Sequence, residues 1–153
     1  MSSDASISPK AITAGPGGAL WFVTPTSIGR ATPAGALSTV AATKVEVPTR
    51  ITRGPDGNVW YGSLGAVGRV TPTGQATLFH ADVITEVNEL AAGPDGNVWL
   101  TNKAPDASIV RITPAGVATR FTKAGLVGLV GITAGPDGNL WFTDKFGLSL
   151  IHI

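Results

Sequence analysis

Gly54-Pro55-Asp56-Gly57-Asn58-Val59-Trp60-Tyr61 returns 39 residues later as Gly93-Pro94-Asp95-Gly96-Asn97-Val98-Trp99-Leu100. The same phrase stands upstream as Gly15-Pro16-Gly17-Gly18-Ala19-Leu20-Trp21-Phe22 and downstream as Gly135-Pro136-Asp137-Gly138-Asn139-Leu140-Trp141-Phe142. Self-similarity at a long fixed period sets the architecture before any single residue is interpreted. It also marks most of the conspicuous residues as structural, because they recur wherever the unit recurs.

A second anchor lies inside each unit: Gly29-Arg30-Ala31-Thr32-Pro33-Ala34-Gly35, Gly68-Arg69-Val70-Thr71-Pro72-Thr73-Gly74 and Val110-Arg111-Ile112-Thr113-Pro114-Ala115-Gly116. Each Arg precedes the next Gly-Pro by a constant 24 residues, whereas Gly-Pro precedes Arg by 15, 15 and 18. The extra three residues therefore fall in one polar stretch, 102–108, as a surface loop tolerates. Within the second unit four short runs, 50–53, 59–63, 67–71 and 76–80, are rich in β-branched or aromatic residues and bounded by turn formers. They read as strands. Pro presets φ in the turns, and the Gly that follows accepts positive φ. No stretch carries a helical apolar period. Four strands per unit of about 40 residues is the mark of a β-propeller blade. The fold expected is all-β, with blade repeats over about 9–47, 48–86, 87–128 and 129–147.

Composition narrows the function classes. Charged residues are 14 % of 153 and the net charge is +1, with no basic cluster, so no nucleic-acid or anionic-membrane partner is expected. Cysteine is absent, which removes disulfides and thiolate chemistry. No apolar run reaches the roughly 18 residues of a membrane span. The opening Met1-Ser2-Ser3-Asp4-Ala5-Ser6 has neither the basic nor the apolar region of a secretion signal. With Met1 as the start, the cytoplasm is the expected location.

Three complete units and half of a fourth do not close a propeller, which typically needs about 4–8 blades. A partial array leaves sheet edges and apolar blade faces uncovered, so self-association of half-rings is expected. After Gly147 the repeat calls for Gly-Arg-Ile-Thr-Pro, yet the chain reads Leu148-Ser149-Leu150-Ile151-His152-Ile153. Back-translated as CTG TCT CTT ATA CAC ATC, these residues resemble a transposon-end sequencing adapter. Residues 148–153 are therefore expected to be a non-native tail, and 1–147 the partial propeller.

The units Ile132 to Asp144 and Gly68 to Gly74 resemble the streptogramin B lyase family, also called virginiamycin B lyases, and the resemblance runs from Pro9 to Gly147. It implies a seven-bladed propeller of which this chain is about half, the N-terminal half with Met1 as the start. It also implies a carbon–oxygen lyase that opens cyclic depsipeptide antibiotics by elimination, with bound Mg²⁺. The family carries Glu-x-His at positions −7 and −5 from the anchor Gly, and a second Glu at +9. Elimination needs a base for a proton alpha to a carbonyl, for which His is suited. Paired carboxylates suit a hard cation that steadies the developing enolate. By the period-2 rule −7 and −5 share a strand face, expected to point into the central channel.

At those positions the four units hold Ser8, Lys10, Thr24; Val47, Thr49, Ser63; Glu86, Asn88, Asn102; and Gly128, Val130, Asp144. No unit holds the full set, so no catalytic residue is expected here. Lys10, Thr49, Glu86 and Asn88 are the candidate ligand contacts, for a small cyclic peptide, and Glu86 and Asp144 the candidate metal ligands. Mg²⁺ is expected only in a full-length protein. The alternative is a non-catalytic propeller of the same family that binds a ligand or protein. The repeating Trp, Arg and turn Asp residues are read as structural, and His80 as a surface residue.

Overall fold

Strands form at the four β-rich runs of each unit. The structure is a computed structural model, and it describes residues 8–44, 47–103, 105, 107–122, 125–145 and, by their backbone, 147–151. β1 (Ala11–Ala14), β2 (Leu20–Val23), β3 (Ser27–Ala31) and β4 (Leu37–Ala42) make the first sheet. The second contains β5 (Arg50–Arg53), β6 (Val59–Gly62), β7 (Ala66–Val70) and β8 (Ala76–His80). The third contains β9 (Val87–Ala92), β10 (Val98–Asn102), β11 (Ser108–Ile112) and β12 (Ala118–Phe121). The fourth has three strands, β13 (Leu129–Ala134), β14 (Leu140–Asp144) and β15 (Gly147–Ile151). Every pairing within these sheets is antiparallel between consecutive strands. Among the described residues the helical content is one 3-10 turn at Pro16–Gly18. The first strands of successive sheets lie side by side. The fold is a β-propeller seen over four consecutive blades.

The core is three layers, one between each pair of neighbouring blades, and alternation along each strand decides which layer a residue joins. Trp21, Val23 and Ile28 of the first blade meet Ile51, Val59, Tyr61 and Val70 of the second. Trp60 and Val67 meet Leu90, Val98, Leu100, Val110 and Ile112 of the third. Trp99 and Ile109 meet Leu129, Ile132, Leu140 and Phe142 of the fourth. The Trp face of one blade thus packs on the next blade's apolar residues at −3, +5 and +7. In the first two blades the aromatic residue at +7, Phe22 or Tyr61, lies over a cross-strand glycine, Gly29 or Gly68. A Cβ on Gly68 would come within 2.1 Å of the Tyr61 ring, so only Gly leaves it room. Burial between blades raises the pKa of the Tyr61 hydroxyl, against which the Lys44 N–H donates at 3.5 Å.

The repeating polar residues serve this packing. Asp56 Oδ1 accepts from the Trp60 indole N–H at 3.0 Å, while the Asn58 side chain and N–H donate to the same carboxylate at 2.8 and 3.2 Å. Asp95 and Asp137 do the same for Trp99 and Trp141. The first unit has Gly17 in place of Asp, and its Trp21 indole reaches only the Pro16 carbonyl at 3.5 Å. Arg30 and Arg69 stand opposite Trp21 and Trp60 and lie over their rings at 5.9 and 5.6 Å. Arg111 covers Phe121 at 5.8 Å. The Nε of all three is buried without an oxygen partner, which suits a guanidinium stacked on a π face. Arg69 also donates to the Pro114 carbonyl at 2.6 Å and pairs with Asp56 at 3.7 Å, joining its blade to the next blade's Thr-Pro turn.

That turn packs on the preceding blade's outer strand. Gly74 and Gly116 have φ of +92° and +88°, and a Cβ there would meet the Val40 carbonyl at 2.8 Å and the Phe79 ring at 2.2 Å. Gly35 has the same backbone, with φ +84°, but faces open space.

The expected non-native tail overlaps β15. Leu150 stands opposite Trp141, the register held by Arg in the first three blades. Backbone pairing uses no side chain, so it is indifferent to the origin of these residues. His152 and Ile153 lie outside the described residues.

Candidate functional site

The positions −7, −5 and +9 do come together, and the second blade shows how. Val47, Thr49 and Ser63 line one cavity of about 210 Å³ together with Leu64 of the β6–β7 turn and Glu86 of the connector before β9. Ser63 Oγ donates to the Val47 carbonyl at 3.1 Å. The β6–β7 turn then clips to the third blade, because the Gly65 N–H donates to the Thr85 carbonyl at 2.6 Å and the Val87 N–H to the Ser63 carbonyl at 3.2 Å. Val47 has a φ of +43°, a strained conformation for a β-branched residue, at the rim of this cavity.

Position +9 has a repeating job that the sequence did not announce. It ties down the connector entering its own blade. In the third blade the buried Asn102 accepts from the Thr85 N–H at 3.2 Å and donates to the Val83 carbonyl at 2.7 Å and Ser108 Oγ at 2.8 Å. In the fourth, Asp144 Oδ2 accepts from the Val127 and Gly128 N–H groups at 3.1 and 3.0 Å. Thr24 instead closes its own hairpin on Ser27.

The inner-strand candidates are spent largely on neighbouring strands. Asn88 and Val130 sit where the ladder register shifts, at β-bulges, which re-aim side chains. The Asn88 amide reaches the next inner strand, donating to the Leu129 and Val130 carbonyls at 2.6 and 3.2 Å. Arg50, which the sequence did not single out, donates through Nε to the Asn88 carbonyl and pairs with Glu89 at 3.8 Å. At −5 the Asn88 side chain thus bridges two inner strands, answering backbone carbonyls of the fourth blade. Glu86 pairs with Lys103 at 2.9 Å, both side chains about half exposed. Lys10 is exposed at the entry to β1, and Thr49 accepts from Arg50 through its own carbonyl at 2.9 Å. His80 is exposed at the end of β8.

Thr49 and Glu86 thus share one cavity, while Lys10, Asn88 and Asp144 lie on other blades or face other strands. Among the described residues no group of three His, Cys, Asp or Glu side chains converges. Glu86 is matched by Lys103, and Asp144 is engaged with two backbone N–H groups. Glu86 and Asp144 stand on different blades and are not brought together.

Comparison with known proteins follows the same lines. The model of the virginiamycin B lyase family matches residues 2–151. No curated protein sequence matches significantly. Among solved structures, a catalytically inactive His-to-Ala variant of the Staphylococcus aureus virginiamycin B lyase with quinupristin superposes with a TM-score of 0.82 at 26 % identity, over 99 % of this chain and 58 % of that one. A streptogramin B lyase structure gives 0.75 at 20 % identity, over 98 % and 67 %. A nidogen/laminin complex gives 0.74 at 18 %, a likeness of fold alone. The chain spans somewhat over half the length of the Staphylococcus relative. On the match across nearly its whole length, the chain belongs to the virginiamycin B lyase family.

Proposed function

We propose that this chain is the scaffold half of a streptogramin B lyase-like propeller, contributing wall rather than catalytic groups to the pocket. The observation that carries this reading is that the family's three positions converge on one cavity in the second blade, yet no blade here holds Glu, His and Glu. The catalytic blade then lies among residues beyond these four blades. In the full ring its histidine takes the proton alpha to a carbonyl, the C–O bond of the ester breaks, a C=C bond forms and the carboxylate leaves. No water is consumed. Mg²⁺, when bound in the full ring, would stabilise the developing negative charge.

The test is to express the intact gene product and incubate it with quinupristin. Elimination linearises the ring without changing its mass, whereas hydrolysis would add one water. A linear product of unchanged mass supports the reading; intact substrate sinks the lyase activity. The second reading, a binding propeller without turnover, is favoured by the engagement of Glu86 by Lys103 and of Asn88 by neighbouring carbonyls. It predicts calorimetric binding of a cyclic peptide with no product.

A further inference from the structure

The second blade departs from its neighbours at the pair of positions −7 and +10. In the third blade this pair is Glu86 and Lys103. The Lys103 N–H donates to the Glu86 carbonyl at 2.8 Å, and the side chains form an ion pair at 2.9 Å. In the fourth it is Gly128 and Lys145. The Lys145 N–H donates to the Gly128 carbonyl at 3.0 Å, and its stem lies where a Cβ on Gly128 would stand. The second blade has Val47 and Leu64 at these positions. Both are apolar, and they are 54 and 66 % exposed. An exposed Leu by itself signals nothing. Two apolar side chains lining one cavity, where the next two blades place lysine at +10, are a different matter.

That cavity, of about 210 Å³, is completed by Thr49, Ser63 and Glu86. It lies where the second blade meets the third, so neither wall belongs to the first or the fourth blade. Its frame is fixed without a ligand. Leu64 bridges Glu86 through the backbone, and the Gly65 N–H donates to the Thr85 carbonyl. Its polar groups are committed: Ser63 Oγ donates to the Val47 carbonyl, and the Glu86 charge is matched by Lys103. A cation entering here competes with a partner already in place, and an anion meets a carboxylate. What is left to recognise is the apolar surface of Val47 and Leu64. A cavity of about 150 Å³ with apolar walls holds benzene, so this one has room for a ring.

We infer that this cavity takes one uncharged, apolar side chain of a bound peptide, with Val47 and Leu64 as the residues that select it. The inference rests on the proposed reading of this face as the wall of a peptide pocket, and it adds which group the second blade receives. Entry of such a group removes both side chains from water, which is the source of its affinity. The Glu86–Lys103 pair beside it supplies the discrimination against charge.

The test titrates the isotope-labelled intact gene product with N-acetylphenylalanine methylamide, and with its glutamate and lysine counterparts, following backbone amide signals by NMR. The phenylalanine probe should move the Val47, Ser63 and Leu64 signals saturably, and the charged probes should not. Leu64→Asp should weaken the phenylalanine probe about tenfold or more. Leu64 is exposed, so this variant keeps its fold, as circular dichroism checks. Lys103→Met leaves Glu86 without its partner and should admit the lysine probe. Phenylalanine shifts confined to other residues, equal responses to all three probes, an affinity indifferent to Leu64→Asp, or continued rejection of lysine by Lys103→Met would overturn the inference. Turnover separates it from the reading on which it rests. Shifts at Leu64 with quinupristin left intact keep the cavity and sink the lyase activity; linearised quinupristin without those shifts keeps the lyase and sinks the cavity.

Discussion

The second blade and the first are built from nearly the same words and end in different surroundings. In the second, the apolar residues at −3 and +5 are sealed under Trp21, and the Thr-Pro turn rests on the strand before it. In the first, the same residue types stand in the open. The repeat therefore encodes two half-interfaces per blade, and burial is conferred by the neighbour. Hydropathy at a repeat position predicts the capacity to be buried, not burial itself.

Four measurements break or sharpen this contrast. The largest effect is expected for Trp60→Ala, at about 3–5 kcal/mol of unfolding free energy in urea titration, with Trp141→Ala costing less than half as much. Equal losses would mean that the two rings are equally enclosed. Next come Ile51→Ala, at about 2–5 kcal/mol, and Ile12→Ala, within about 0.5 kcal/mol. A costly Ile12→Ala would show that something covers the first blade.

The glycine pair is subtler. Gly116→Ala and Gly35→Ala both force Ala into left-handed backbone, at roughly 1–2 kcal/mol. Only Gly116→Ala also strikes the Phe79 ring, adding about 1–3 kcal/mol. Identical melting shifts would remove the turn-on-strand contact from the argument.

The smallest effect concerns pH. Burial raises the Asp56 pKa, but hydrogen bonds from Asn58 and Trp60 and the charge of Arg69 outweigh it, so the carboxyl titrates below its ordinary value. The native state then binds fewer protons than the unfolded one. Its contribution is complete above the ordinary pKa of about 3.9 and is lost as pH falls through the lowered native value. Asp56→Asn should cost about 1 kcal/mol at neutral pH and flatten the acid limb of the stability curve. An unchanged acid limb would sever Asp56 from acid stability.

Much of this was legible beforehand. Strand placement in the second unit followed from β-branched runs between Gly, Pro and Asn, and β5 and β8 fall on the residues read from sequence. The Trp residues were legible as packing groups because they repeat. What could not be read was the partner of each polar group. Period 2 placed Asn88 on a strand face, but it could not show that Asn88 stands at a bulge with its amide bonded to a carbonyl of the next inner strand. Nor could the sequence show that an Asp144 oxygen accepts from two N–H groups of a connector 16–17 residues away. Arg50 gave no sign in the sequence of its partners, the Asn88 carbonyl and Glu89, which lie 38 and 39 residues away. Such contacts depend on backbone groups, which every residue carries and no composition reveals.

The head-to-tail sense of the blade contact bears on how such a chain changes over generations. An in-frame duplication of one unit, cut anywhere, delivers a donor face and an acceptor face together and leaves the count of unmatched halves unchanged. A deletion does the same in reverse. Blade number is therefore free to drift by whole units, checked only by whether the circle still closes.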